Sequence, residues 1–140
     1  MPRVKQERIV TGIAQLWSRD ILDFRDGKRY LEQVKNLFLK KAGVYILYRD
    51  DKPYYIGQAR NLFKRLVGYA RNPNNSHFNF WNHFTAFVVS EPKYLDDIEA
   101  ILIRAMPFAD NSSKPKISKI KIPSSVSGRI RVKRQTKSSL

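Results

Sequence analysis

Two short stretches near the middle of the chain have the apolar–polar alternation of strands, and a turn-forming segment separates them. Residues 44–48 are Val-Tyr-Ile-Leu-Tyr and residues 54–57 are Tyr-Tyr-Ile-Gly, with Arg-Asp-Asp-Lys-Pro between them. A period of two is typical of strands, and the polar link with its proline favours a turn. The pattern therefore predicts two strands that form a hairpin.

Helical spacing dominates before the hairpin. Residues from about 5 to 22 place large apolar side chains at helical intervals, and Asp26 is a plausible cap for a second helix. We interpret both segments as helices that pack on the rest of the protein. Their apolar positions are Ile9, Ile13, Leu16 and Trp17 in the first helix, and Tyr30, Leu31, Val34, Leu37 and Phe38 in the second.

After the hairpin, the pattern predicts a helix, a strand and another helix. Asn61 is a plausible cap for a helix that runs to about Ala70, and the polar segment 71–77 breaks the periodicity as a loop. Residues 84–90 alternate again and predict a third strand. Residues 94–106 return to helical periodicity, which stops at a proline. The predicted order is strand, strand, helix, strand, helix.

Composition indicates one domain and a polyanionic partner. The 140 residues leave room for a modest core. The formal net charge of +15 suggests nucleic acid first and an anionic membrane surface second. No apolar run approaches the roughly 18 residues of a membrane span, and the N-terminus does not resemble a signal peptide. We therefore expect an intracellular protein, cytoplasmic or nucleoid-associated, without a membrane partner.

The sequence also restricts the chemistry of a metal site. It contains no cysteine and two histidines. Disulfides and thiolate metal sites are therefore excluded, and a histidine-rich zinc site is disfavoured. We expect any metal to be a hard cation that is held by oxygen ligands.

The last part of the chain is strongly basic. From Lys114 onward there are nine Lys or Arg residues and no acidic residue, and Ile and Val are interleaved with the charges. Part of this tail could form strands. Alternatively, it is a mobile basic arm that becomes ordered on a partner. The pattern leaves both alternatives open.

Glu99 has an unusual position in the predicted helix 94–106. It projects into the apolar face of that helix, between Leu102 and Ile103. A lone glutamate is ordinarily a solvated surface residue. Because burial of an unpaired carboxylate is costly, this position predicts a cation or a hydrogen-bond network beside Glu99.

Four other side chains, one arginine and three tyrosines, are compatible with phosphate chemistry. Arg65 and Tyr69 lie four residues apart on one face of the helix capped by Asn61, where a guanidinium could grip a phosphate beside a hydroxyl. Alternatively, Arg65 covers an apolar stripe with its stem. Tyr45 and Tyr55 are either ordinary strand aromatics or hydroxyls that orient or deprotonate a metal-bound water.

Taken together, these residues resemble the GIY-YIG nuclease domain. The match begins with Gly-Val-Tyr at 43–45 and Tyr-Ile-Gly at 55–57. It continues through residues 58–66, where Arg65 takes the place of the invariant arginine of the family. The resemblance covers roughly residues 42–115, and it is the order and spacing of several elements that make it specific.

The remaining elements of the family follow in order. Tyr69 falls where excision-repair members carry a tyrosine, Glu99 matches the metal-binding glutamate, and Asn111 lies near the position of an asparagine that closes the site. The resemblance implies an α+β fold with a small three-stranded antiparallel sheet flanked by helices. In this chain, two N-terminal helices in residues 1–41 would precede that core, and a basic tail in residues 116–140 would follow it.

The resemblance also implies an activity and a role for each residue. Family members cut a phosphodiester bond of DNA with one divalent metal ion. Glu99 would hold Mg²⁺ or Mn²⁺, and Arg65 would clamp the scissile phosphate. Tyr45 would orient the attacking water or act as its base, with Tyr55 in support. Asn111 would pin the local loop or contact the phosphate, and Tyr69 would complete the catalytic set.

Basic side chains outside this set are expected to contact DNA. They are Arg60 and Lys64 near the second motif, and Lys114 and Lys116 on either side of the boundary between the core and the tail. A protein partner or a homo-oligomer could add specificity. The competing hypothesis is a non-catalytic nucleic-acid-binding module, which explains the charge but does not require Glu99 in an apolar face.

Some positions depart from the family or have two interpretations. Gln58 stands where excision-repair members often have lysine, so the group that takes the proton from water stays open. His77 and His83 lie where homing endonucleases of the family often have a histidine, and either could instead be structural. The aromatic segment 78–81 could stack on exposed bases, although core packing is the simpler interpretation.

Overall fold

Four strands form one antiparallel sheet. The computed structural model describes residues 7–22, 35–37, 41–106, 118 and 120–127. Its strands are β1 (Val10–Ser18), β2 (Gly43–Arg49), β3 (Lys52–Ala59) and β4 (His83–Val89). All neighbouring strands are antiparallel, and their order across the sheet is β1-β4-β2-β3. The predicted α+β class and the β2–β3 hairpin are confirmed, but the predicted number of three strands is wrong.

Among the described residues, two helices of 10 and 11 residues flank this sheet. They are α1 (Leu62–Arg71) and α2 (Leu95–Ala105), and α2 follows a short 3₁₀ turn at Pro92–Tyr94. Asn61 caps α1 as predicted, because its side chain accepts a hydrogen bond from the backbone N of Lys64 at 3.1 Å. Within the described residues, no helix combines the length and apolar character that a membrane span requires.

The first predicted N-terminal helix is wrong, because β1 occupies that segment and pairs with β4. The β1–β4 register is irregular between Ala14 and Trp17, where Leu16 adopts a positive φ of 53°. Such bulges break the strict period of two, so the apolar residues fall at intervals that imitate a helix. Ile9, Ile13 and Leu16 are 49%, 54% and 51% exposed, so they do not form a buried helical stripe.

The structure describes only parts of the second predicted N-terminal helix and of the basic tail. Residues 35–37, inside the second predicted helix, are helical, and the rest of that helix lies outside the described residues. In the tail, Ser124–Ser127 form a short helical turn, and residues 120–127 contain no strand. The proposed domain boundaries stay predictions, although β1 belongs to the same sheet as the strands of the core.

The two helices pack on opposite faces of the sheet. Tyr45 and Leu47 of β2 join the cluster that contains the α1 residues Leu62, Leu66 and Tyr69. The alternate residues of β2, Val44 and Ile46, join the cluster that contains Leu95 and the flanking Ile98, Leu102 and Ile103 of α2. Because β3 is an edge strand, side chains from both layers can meet along it.

Candidate active site

The two motif glycines are required by close packing. A Cβ atom at Gly57 would lie 2.6 Å from Cζ of Tyr45, so only glycine leaves room for that ring. A Cβ atom at Gly43 would lie 2.9 Å from Cγ of Leu62 and would collide with the backbone oxygen of Phe87. Gly43 therefore lets β2 approach both β4 and α1, and Gly57 sets the position of Tyr45.

Three predicted site tyrosines form one cluster. Tyr45 on β2 is 1% exposed, and its hydroxyl oxygen lies 2.8 Å from that of Tyr69 on α1. The ring centroids of Tyr45 and Tyr69 are 5.6 Å apart, and the ring of Tyr55 lies 6.4 Å from Tyr45 and 6.2 Å from Tyr69. The two tyrosine motifs and α1 thus contribute to a single group of hydroxyls.

The environment raises the pKa of Tyr45 and of Tyr55. Burial raises the pKa of Tyr45 far above its ordinary value of 10.0, and Tyr69 and Tyr55 raise it further. Burial, with Tyr69 as the next cause, raises the pKa of Tyr55 to about 12, and a hydrogen bond with Tyr69 contributes. Arg65 lowers the pKa of both groups, and Glu99 raises that of Tyr55. These interactions place Arg65 and Glu99 within electrostatic reach of the tyrosine cluster.

Glu99 lies on α2 with one oxygen atom unsatisfied. Its side chain is half-buried, and within the described residues its buried Oε2 has no hydrogen-bond partner. Desolvation raises the pKa of Glu99, a hydrogen bond from Gln58 opposes that rise, and Asp96 adds to it. Nε2 of Gln58 also donates to Oδ1 of Asp96 at 2.7 Å. Asp96 was not among the predicted site residues, although it lies three residues before Glu99, a spacing that places both on one helix face.

The predicted cationic residues lie on the surface where they are described. Arg65 is exposed on α1, and so are Arg60 and Lys64. An exposed guanidinium next to a tyrosine cluster can approach a phosphate in the bidentate manner that arginine favours. The other predicted positions, Asn111, Lys114 and Lys116, lie outside the described residues.

His77 contacts the tyrosine cluster, whereas His83 has a local partner. The ring of His77 stacks on Tyr55 with a centroid distance of 4.3 Å, and its Nδ1 lies 2.9 Å from the hydroxyl oxygen of Tyr54. Nδ1 of His83 lies 3.0 Å from Oδ1 of Asn82. Of the two histidines, His77 is therefore the one that touches a proposed catalytic side chain.

Arg19 anchors the loop that carries His77, and nothing in the sequence pattern indicated it. The guanidinium donates to the backbone oxygens of Phe78, Trp81 at 3.1 Å and Ala70 at 3.0 Å. It also lies over the rings of Phe78 and Trp81. The segment after β1 thereby fixes the loop between α1 and β4.

Comparisons with known proteins give similarity at the level of solved structures. No protein-family model matches the chain, and no curated protein matches it. The chain is similar to the GIY-YIG N-terminal endonuclease domain of UvrC from Thermotoga maritima. For a point mutant bound to its catalytic divalent cation, the identity is 27% and the TM-score 0.47, over 58% of this chain and 93% of that chain. For a magnesium-bound form of that domain, the identity is 27% and the TM-score 0.46, over 58% of this chain and 94% of that chain. These structures belong to the family that the tyrosine motifs resemble.

Proposed function

We propose that the protein is a metal-dependent endonuclease that hydrolyses a phosphodiester bond of DNA. One observation carries the proposal: Tyr45, Tyr55 and Tyr69 form one cluster within electrostatic reach of Arg65, and Tyr55 is also within reach of Glu99, whose buried Oε2 accepts no hydrogen bond from the described residues. A buried carboxylate in this state is costly unless a cation accompanies it. The arrangement also supplies the guanidinium of Arg65, which could bind a phosphate, and tyrosine hydroxyls, which could bind a water.

One Mg²⁺ or Mn²⁺ ion suits this donor. Among the described residues, no group of three or more acidic or histidine side chains could hold a metal. Mg²⁺ commonly binds through one or two carboxylates and completes its shell with water and substrate phosphate oxygens. Glu99 would be the main ligand. Asp96 is a second carboxylate nearby, because the side-chain amide of Gln58 interacts with both Asp96 and Glu99. When bound, the ion would stabilise negative charge on the phosphate and the leaving oxygen.

The side chains of this protein would then bind and orient the reactants. Arg65 would hold the scissile phosphate and stabilise its developing charge. Tyrosine is protonated at neutral pH at its ordinary pKa of 10.0, and the raised pKa values of Tyr45 and Tyr55 oppose a role as base, so both would act through hydrogen bonds. Tyr55 is partly exposed and can reach a water, whereas buried Tyr45 would act through Tyr69. The hydroxyls would therefore orient the attacking water.

DNA binding outside the site would be electrostatic. The net charge of +15, exposed Arg60 and Lys64, and Lys114 and Lys116 of the tail would neutralise backbone phosphates. Release of counterions makes such binding strongly dependent on salt. Removal of residues 117–140 should reduce the slope of affinity against salt concentration, and an unchanged slope would exclude residues 117–140 as phosphate binders. Sequence or structure specificity could come from a protein partner or a second copy.

The test is nicking of supercoiled plasmid with Mg²⁺ and with chelator. Glu99→Gln removes the charge with little change of shape, and Arg65→Ala removes the phosphate clamp. We expect wild-type protein to nick the plasmid only with the metal, and each variant to lose about 100-fold or more in rate. Matched controls are Asp97→Asn on α2 and Arg71→Ala on α1, both at exposed positions.

The competing function is non-catalytic nucleic-acid binding, which the net charge alone supports equally well. Binding without cleavage of plasmid, branched or single-stranded DNA by the wild-type protein would favour that alternative. Equal loss of nicking in the control variants would show that general destabilisation is the cause.

A further inference from the structure

A row of aromatic rings leads from the surface to the tyrosine cluster. Phe80 is 45% exposed and stacks on Tyr54, with centroids 5.8 Å apart and ring planes at 27°. Tyr54 meets His77 edge-on at 5.5 Å, and His77 stacks on Tyr55 at 4.3 Å. We call these four residues the aromatic track. It connects an exposed ring with a proposed catalytic tyrosine.

A β-bulge explains how two consecutive tyrosines can join one track. Leu47 pairs with Tyr55 and Tyr48 pairs with Pro53, so Tyr54 is an extra residue in β3. Consecutive strand residues ordinarily point to opposite faces of a sheet. A bulge redirects the side chain at that point, and here both tyrosine rings contact His77. The bulge therefore places Tyr54 beside the site.

The loop between α1 and β4 keeps Phe80 at the surface. The aromatic neighbours of Phe80 in this loop make other contacts. Trp81 is 3% exposed, and Arg19 lies over the rings of Phe78 and Trp81. The backbone N of Phe80 donates to the backbone oxygen of His77 at 3.1 Å, which closes a turn. Of the aromatic residues at 78–81, Phe80 is the exposed one. Phe80 is therefore the aromatic side chain of this segment that is most accessible to solvent next to the proposed site.

We propose that the aromatic track binds an unpaired nucleobase next to the scissile phosphate, so that DNA with unpaired bases is preferred over intact duplex. Every base has an aromatic face, and stacking on protein rings is a general mode of binding to single strands. A base inside a duplex is already stacked and would first have to leave its neighbours. Tyr55, the inner end of the track, lies 6.2 Å from Tyr69 between ring centroids, and Tyr69 follows Arg65 by one turn on α1, so the proposed phosphate site adjoins the base site.

The preference for a cleavage substrate rests on the proposed nuclease function, whereas base binding can be measured without cleavage. In chelator, fluorescence anisotropy would compare a labelled DNA duplex with the same duplex carrying a central bubble of unpaired thymines. The variants are Phe80→Ala, which removes the ring, and Phe80→Tyr, which retains it. Ile101→Ala is the control, because Ile101 is also an exposed apolar residue, at 59%. Circular dichroism would verify that each variant is folded.

We expect the wild-type protein to bind the bubble more tightly than the duplex. Phe80→Ala should weaken binding of the bubble about fivefold or more and leave duplex binding unchanged, whereas Phe80→Tyr and Ile101→Ala should match the wild type. Equal affinity of wild type and Phe80→Ala for the bubble would contradict base binding by the aromatic track. That conclusion would hold even if the protein nicks plasmid, because nicking tests only the nuclease function. If binding of the bubble depends on Phe80 but no DNA is cleaved, base binding by the aromatic track is supported and the nuclease function is contradicted.

Discussion

The hydroxyl oxygens of Tyr45 and Tyr69 lie 2.8 Å apart inside the core, with Tyr45 1% and Tyr69 5% exposed. This contact joins β2 to α1, because the two residues lie in those elements. The ring of Tyr69 also lies 6.2 Å from that of Tyr55, and Tyr69 helps to raise the pKa of Tyr55. Tyr69 is therefore the centre of the cluster, because it contacts one tyrosine from each of the two sequence motifs.

Removal of the central hydroxyl should cost more stability than removal of a peripheral one. Tyr69→Phe leaves the buried Tyr45 hydroxyl without its partner, which should lower the free energy of unfolding by about 1–3 kcal/mol. Tyr45→Phe should lower the free energy of unfolding by less, because the Tyr69 hydroxyl still has Tyr55 as a neighbour. The double variant should cost less than the sum of the singles. Urea unfolding measures all three variants, and strict additivity would contradict the shared hydrogen bond.

The sequence predicted those parts of the fold that depend on local pattern. The β2–β3 hairpin, the Asn61 cap and α2 follow from alternation, capping chemistry and helical periodicity. Strand β1 was mistaken for a helix because its bulges disturb the alternation. The contact of Arg19 with the Ala70 oxygen joins residues 51 positions apart, and no local pattern encodes such a partner. The same holds for the stacking of His77 on Tyr55.

Substitution of two glycines by alanine should have opposite effects. In Gly57→Ala the new Cβ would meet the Tyr45 ring at 2.6 Å, so the ring must shift, and stability should fall by about 1–3 kcal/mol. Gly68 lies inside α1, and a Cβ atom added there would meet nothing within 4 Å, so Gly68→Ala should stabilise by about 0.5–1 kcal/mol. Thermal unfolding would compare the two. A stable Gly57→Ala protein with full activity would show that the Tyr45 ring position is not critical.

Loss of the Arg19 guanidinium should release the loop between α1 and β4. Arg19→Met keeps an apolar stem but removes the donors to the oxygens of Ala70, Phe78 and Trp81. Since hydrogen bonds from charged donors are worth about 1.5–3 kcal/mol, the variant should be clearly destabilised. Hydrogen exchange should accelerate at residues 72–82.

Arg49→Met, at an exposed position on β2, is the control for loss of a positive charge. Arg19→Lys should not restore protection, because one ammonium cannot reproduce the planar fork of guanidinium donors. If hydrogen exchange in the loop is the same in Arg19→Met and wild type, the loop is held by other contacts.

Glu99→Gln should remove both a metal response and a pH dependence of stability. Desolvation raises the pKa of Glu99 above its ordinary value of 4.5, so the folded protein binds this proton more tightly than the unfolded chain. Its favourable contribution is complete below pH 4.5 and is lost as the pH rises through the folded pKa. In wild type, Mg²⁺ at neutral pH should offset that loss and raise the Tm, because it binds only the folded state. Asp97→Asn should behave as wild type, and a Mg²⁺-induced rise of Tm in Glu99→Gln would place the metal elsewhere.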